Sequence, residues 1–196
     1  MTTAPSPTTP AMPASGRAAL DLAHRRYVLI EQGVGSAIFN LLLNGAIAWF
    51  MTRSLERVPL WGAQTSIAGD TIGTTFLLPF FTCLIVTRLA RGQVTSGRLP
   101  PVSWRRDSHA ALGRLPARTL PRALVLGLAT LIAVAPVAVW ALMALEVNDL
   151  AVWHFITFKA LFAAVLAAIV TPIVALGALG DTVLETSAAP ARAAGA

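Results

Sequence analysis

The sequence predicts an all-α integral membrane protein with four transmembrane helices, and three observations support this fold class. Of the 196 residues, 56% are hydrophobic and 12% are charged, whereas ordinary soluble domains carry about 25% charged residues. Four long apolar segments follow one another along the chain, and Lys and Arg are unevenly distributed among the segments between them. A soluble chain of this composition would expose large apolar patches, so the composition favours a bilayer.

Each apolar segment is long enough to cross a hydrocarbon core of ~30 Å with some tilt. The predicted spans are about 27–51, 65–87, 121–145 and 153–179. Together they form one predicted membrane domain, 27–179. The flanking segment 1–26 is rich in small residues and proline, and the flanking segment 180–196 is rich in alanine. We expect both to be disordered tails, because such compositions bury little apolar surface.

The connection between the second and third spans, Arg88 to Arg122, predicts the orientation of the chain. It carries eight arginines and a single acidic residue, Asp107, whereas the N-terminal tail has three cations and the two other connections have two and none. Lys and Arg accumulate on the cytoplasmic side of membrane loops. We therefore expect this basic loop and both termini in the cytoplasm. An aromatic belt is expected at the opposite face, where four tryptophans fall near the span ends: Trp49, Trp61, Trp140 and Trp153.

The expected partners follow from the same charges. The basic loop could bind anionic lipid headgroups in addition to the lipid bilayer around the spans. Membrane insertion accounts for the formal net charge of +6, so no nucleic-acid partner is predicted. Arg greatly outnumbers Lys, and Ala and Gly are abundant, which is typical of a GC-rich bacterial genome. The predicted location is the bacterial inner (plasma) membrane, as a multi-pass protein.

Ionisable side chains within spans are costly and are functional candidates. Three fall there: Glu31, Asp70 and Lys159. Asp70 and Lys159 lie in the first turns of two spans that begin on the same side of the membrane. We therefore expect them at similar depth, where their opposite charges can neutralise each other. Glu31 lies near the other side and is expected to remain close to water and to Arg25 and Arg26.

Helical spacing extends these positions into a candidate substrate-binding cluster. Gly33, Ala37, Asn40 and Asn44 share one face of the first span, and a small-residue stripe, Ala160, Ala164, Ala167 and Thr171, runs along the fourth beside Lys159. Small residues allow close approach, and we expect the amides to bond across to a neighbouring helix. The predicted cluster faces the interior, open to the outside, and comprises Asn40, Asn44, Asp70, Thr74 and Lys159. In the alternative interpretation, Asp70 and Lys159 reach separately to water and the Asn pair only packs between helices.

The sequence offers no catalytic or cofactor motif, and we do not expect an enzyme. Cys83 is the only cysteine, which excludes a metal cage built from cysteines. Glu146, Asp149 and His154 match no metal-ligand spacing. No metal or other cofactor is therefore predicted.

Two hypotheses for function remain open. The first is a small permease-like or transport-associated protein with a polar cluster between helices 1, 2 and 4. The alternative is a non-catalytic membrane subunit or scaffold that packs against partner helices. A homo-oligomer or a partner membrane protein is expected in either case. Four helices make a thin wall around any pathway, so a transporter of this size should be at least a dimer.

Overall fold

The computed structural model describes residues 25–98, 116 and 118–193, with the backbone alone from 180 onwards. Residues 1–24 of the predicted N-terminal tail lie outside the described residues. The same holds for 99–115 and 117, which form most of the predicted basic loop, and for 194–196.

Four long helices and a two-stranded ribbon make up the described chain. The helices are α1 (Tyr27–Thr52), α2 (Ile67–Thr95), α3 (Thr119–Ala144) and α4 (Val152–Ala193), and the strands are β1 (Arg57–Pro59) and β2 (Asp149–Ala151). All four helices are long and apolar enough to cross a membrane. The prediction of a four-helix, multi-pass membrane fold is confirmed in the number, length and apolar character of the helices. The predicted spans match the helices closely at most ends, but α2 continues past residue 87 and α4 past residue 179.

Helix α4 is the central element of the bundle. It packs against both α1 and α2, and α2 also packs against α3. Half of the most apolar part of α4 is buried inside the protein, compared with 6% for α1. The small-residue stripe of α4 is buried as predicted by its spacing, and it includes Ala160, Ala167 and Thr171. Helix α1 leaves most of its apolar surface exposed, as expected for a helix in contact with lipid.

Glycines allow two of these helix pairs to approach closely. A Cβ atom added at Gly127 of α3 would lie 3.0 Å from two ring carbons of Phe76 and 3.1 Å from its carbonyl oxygen in α2. A Cβ added at Gly45 of α1 would lie 3.5 Å from the Cβ of Ala160 in α4, an ordinary van der Waals distance. The α2–α3 contact therefore depends more strongly on the absence of a side chain than the α1–α4 contact does.

The β1–β2 ribbon closes one end of the bundle, which we call the ribbon end. Its strands are antiparallel, with Val58 opposite Leu150. Val58 is fully buried and packs in a cluster with Ile67 and Phe155. A further backbone bond runs from the Leu60 N–H to the Asn148 carbonyl, at 2.7 Å. The ribbon thus joins the α1–α2 connection to the α3–α4 connection.

The first part of α1, Tyr27–Val34, is π-helical, and regular α-helix continues from Gly35. π-helical turns are rare and often occur at functional sites. This segment lies at the end of the bundle opposite the ribbon, where a Cβ added at Gly33 would lie 3.5 Å from the Cγ of Pro172 in α4. The wider turn changes the rotational phase of Glu31 and Gln32 relative to the rest of α1.

The glycine contacts generate a stability prediction with a matched control. Gly127→Ala should lower the free energy of unfolding by about 1–3 kcal/mol, because its methyl group overpacks against Phe76. Gly73→Ala on α2 should leave it unchanged or slightly higher, since a Cβ there meets no atom within 4 Å. Thermal unfolding of both variants in mild detergent measures the difference. Equal melting temperatures would contradict the close α2–α3 contact.

Candidate functional site

A groove of about 900 Å³ lies between α1 and α2. Both helices pack on α4, but they have no extended contact with each other within the described residues. The groove is lined at the ribbon end by residues 62–66 and at the other end by Leu89 of α2 and Glu31 of α1. The stretch of α2 from Gly69 to Leu89 alone spans ~30 Å at 1.5 Å per residue. The groove therefore extends over about the thickness of a hydrocarbon core.

All five residues predicted for the polar cluster line this groove: Asn40 and Asn44 of α1, Asp70 and Thr74 of α2, and Lys159 of α4. Three helices that are distant in sequence bring these side chains to one surface. The fold therefore brings all five side chains to the lining of one groove.

Asp70 and Lys159 form a direct ion pair, with the Lys159 Nζ donating to Asp70 Oδ1. The side chain of Lys159 is 5% exposed and that of Asp70 is 15% exposed, so neither charge is well hydrated by water. Ser66 caps the helix by accepting a bond from the Gly69 N–H at 3.2 Å. Asp70 therefore lies in the first turn of a capped helix, where the helix dipole favours a carboxylate. The pairing expected from their matching depth is present.

The two asparagines bond along α1, and the expectation that they bond across to another helix is wrong. The Asn40 Nδ2 donates to the Ser36 carbonyl at 3.0 Å, and the Asn44 Nδ2 donates to the Asn40 carbonyl at 3.0 Å. A weaker contact of 3.4 Å joins Asn44 Nδ2 to Asn40 Oδ1. Each amide therefore has a backbone partner about one turn earlier on its own helix.

A second group of polar side chains lines the groove farther from the ribbon: Gln32 and Ser36 of α1, Thr82 of α2 and Thr171 of α4. We call these four residues the far layer, and the five described above the ribbon-side layer. Thr82 follows Asp70 by twelve positions, as Thr171 follows Lys159. Helices α2 and α4 both begin at the ribbon end, so Thr82 and Thr171 lie ~18 Å along their helices from Asp70 and Lys159 at 1.5 Å per residue. On α1 the two layers are closer, because Ser36 is only about one turn from Asn40.

The far layer is not among the site residues expected from the sequence, although its spacing gives a signal. Gln32, Ser36, Asn40 and Asn44 follow one another at intervals of four, which keeps them near one face of a helix. Thr171 was assigned only to a packing stripe. The structure also places Glu31 at the mouth of the groove, and it is exposed, as expected.

The other acidic residues of the ribbon end are unrelated to the groove. Asp149 forms an ion pair with Arg57 on the surface of the ribbon. Within the described part of the chain, no three His, Cys, Asp or Glu residues lie close enough together to hold a metal ion.

The Asp70–Lys159 pair generates a double-mutant prediction. Lys159→Ala should lower the free energy of unfolding by roughly 3–5 kcal/mol, because it leaves an unpaired carboxylate in a poorly hydrated position. Adding Asp70→Asn should restore part of that loss. Unfolding in mixed detergent micelles measures both, and strictly additive losses would contradict a coupled pair.

The surface pair supplies the control for this cycle. The side chains of Arg57 and Asp149 are 63% and 40% exposed, so Arg57→Ala should cost no more than about 1 kcal/mol. A similar loss in Arg57→Ala and Lys159→Ala would mean that burial adds nothing to the groove pair.

Comparison with known proteins finds no family model, no curated protein and no solved structure that matches the chain. The groove and its two polar layers are therefore the observations from which a function has to be inferred.

Proposed function

We propose that this chain is a small permease-like or transport-associated membrane protein that holds its solute in the groove between α1 and α2. One observation carries the proposal: the Asp70–Lys159 ion pair lies in the wall of a groove that also presents Asn40 and Asn44. Polar groups that only stabilised helix packing would be enclosed between helices. Here they line a cavity, which is where a solute can reach them.

The size and lining of the groove support binding. Ligand sites in proteins are mostly apolar clefts of about 300–1,000 Å³ with a few convergent polar groups, and this groove, at about 900 Å³, falls within that range. Its lining combines Phe, Leu and Ile side chains with polar ones, among them the residues of the two layers. The two layers give a solute partners at two depths along one route.

The proposed orientation places the ribbon end outside the cytoplasm and the basic loop and both termini inside. It rests on the eight arginines from Arg88 to Arg122 and on the absence of Lys and Arg between α3 and α4. The proposed location is a bacterial inner membrane. In this orientation the ribbon-side layer lies in the outer half of the membrane and the far layer in the inner half.

A second candidate function is that of a non-catalytic subunit whose groove receives a partner helix. It is favoured by Gly69 and Gly73, which lie four residues apart on the face of α2 that lines the groove. Such small residues let helix backbones approach closely in membranes. A Cβ added at Gly73 meets no atom within 4 Å, so this face has room for a neighbour. The partner would be a second copy of the chain or another membrane protein.

Aqueous labelling of single cysteines in intact membranes tests whether a water-filled route exists. In a Cys83→Ser background, cysteines replace Asn40, Asn44 and Thr74 in turn, and a membrane-impermeant thiol reagent is added from outside. We expect labelling at all three, because a permeation route contains water. Cysteine at Glu56 in the exposed α1–α2 connection serves as the positive control, and cysteine at Ile132, 73% exposed on the apolar surface of α3, as the negative control.

Reaction at Glu56→Cys together with no reaction at Asn40→Cys and Asn44→Cys would contradict the permease proposal. It would mean that the groove is filled by protein or lipid, and the subunit function would then be the better explanation.

Gly73→Leu separates the two candidate functions. The larger side chain enters open space, so the fold should tolerate it while the groove is obstructed. If the groove conducts a solute, labelling at Asn44→Cys should fall several-fold and the oligomeric mass in mild detergent should stay that of a dimer or larger. A loss of association in this variant, from oligomer to monomer, would instead support the helix-binding function.

A further inference from the structure

The far layer contains a buried hydroxyl that the fold does not use. Thr171 is fully buried and is a lining residue of the groove, and its Oγ1 has no hydrogen-bond partner among the residues that the structure describes. Hydroxyl groups in helices commonly donate to the carbonyl four residues earlier, which for Thr171 is that of Ala167. The hydroxyl of Ser36 already approaches that carbonyl, at 3.4 Å. An unpartnered polar group costs free energy in an apolar interior, and the residue that carries this one belongs to the groove lining.

Two side-chain oxygens of the ribbon-side layer, those of Asn44 and Asp70, are available to accept hydrogen bonds from a ligand. The nitrogens of Asn40 and Asn44 must point at backbone carbonyls, since only an N–H can bond to an oxygen there. The Asn44 side-chain oxygen is therefore left for a ligand. Lys159 bonds to Oδ1 of Asp70, so Oδ2 is not engaged by the lysine.

The charge of the groove favours the same kind of ligand. Its ionisable lining residues are two carboxylates, Glu31 and Asp70, and one ammonium, Lys159. Asp70 and Lys159 neutralise each other, and Glu31 makes no ion pair with any described residue, so the lining carries a net negative charge. A cationic donor would complement both the charge and the acceptors, whereas an anion would be repelled from the far end.

The walls and opening of the groove indicate an apolar tail. Apolar side chains lie among these polar groups, with Phe39 and Leu43 on α1 and Leu77 and Phe81 on α2. Leu77 and Phe81 are 49% and 51% exposed. Because α1 and α2 have no extended contact, the groove is open sideways, where the bilayer lies. A molecule with an alkyl chain can therefore enter from the membrane without crossing a protein wall.

We propose that the groove binds an amphiphile whose head group is a protonated amine. In the far layer the amine bonds to Thr171 and is attracted by Glu31. In the ribbon-side layer it bonds to the free oxygens of Asp70 and Asn44, and the alkyl chain lies along Leu77 and Phe81. This inference rests on the proposed function and names the class of its solute. A bound head group supplies the partner that the Thr171 hydroxyl lacks.

Photolabelling with a matched pair of probes tests the proposal. The full-length protein in phosphatidylcholine nanodiscs is irradiated with a dodecylamine that carries a diazirine in its chain, or with the corresponding dodecanoic acid. Labelled peptides are mapped by mass spectrometry. We expect saturable adducts of the amine on Leu77 and Phe81, and for the acid only non-saturable adducts on the lipid-exposed surface, such as Ile132.

Variants connect the labelling to the far layer. Thr171→Val has nearly the same shape without the hydroxyl, and Glu31→Gln removes the charge. Each should raise the amine concentration that gives half-maximal groove labelling by roughly tenfold, the usual scale for losing a hydrogen bond to a charged group. Thr130→Val on α3 is the control, because its hydroxyl bonds to the Leu126 carbonyl at 2.7 Å away from the groove. It should label like the unaltered protein.

Failure of this proposal can be distinguished from failure of the proposed function. Equal saturable labelling by amine and acid would overturn the amine class, while a binding groove would remain. Water access at Asn44→Cys with no saturable labelling by either probe would overturn the amphiphile and leave a route for a polar solute. Half-maximal labelling that is unchanged in both Thr171→Val and Glu31→Gln would remove the far layer from the binding site.

Discussion

A charge in the hydrocarbon layer has to be neutralised close by, because neither water nor lipid tails can solvate it. In this bundle Asp70 and Lys159 meet that constraint together, and the arrangement of the helices follows from it. Lys159 reaches the carboxylate only if α2 and α4 are neighbours with their ribbon ends at the same level. The ion pair therefore sets the register of the two helices that carry most of the packing. Breaking the ion pair would leave an unpaired charge and would remove a contact that fixes the register of α2 against α4.

Packing around α4 explains why a cavity persists in a protein with only four spans in its described part. Small residues along α4, such as Ala160 and Ala167, let α1 approach on one side, while α2 packs on another side of α4 and is held to α3 at Gly127. Helices α1 and α2 each pack against α4 and make no extended contact with each other. The space between them is the result, and the polar side chains of both helices face it.

The sequence predicted the parts of this structure that depend on depth and composition. Long apolar runs identified the four spans, and the matching positions of Asp70 and Lys159 in two helices of the same direction predicted their pairing. The partners of Asn40 and Asn44 could not be derived, since helical spacing gives a face but not the neighbour it meets. Gln32 has the same spacing of four as Ser36, Asn40 and Asn44, but spacing alone does not reveal that a groove lies beside that face. The ribbon was missed because strands of three residues leave no alternating pattern.

The β1–β2 ribbon has a mechanical consequence for α1. At the ribbon end, α1 is tied through a short connection to the strand that pairs with the α3–α4 connection. At its other end, α1 meets the rest of the bundle through the π-helical turn beside Pro172. The ribbon therefore restrains the end of α1 that is nearest to it. A swing of α1 away from α2 about that end opens the far layer wider than the layer that holds the ion pair, because Gln32 and Ser36 lie farther along α1 from the ribbon than Asn40 and Asn44 do.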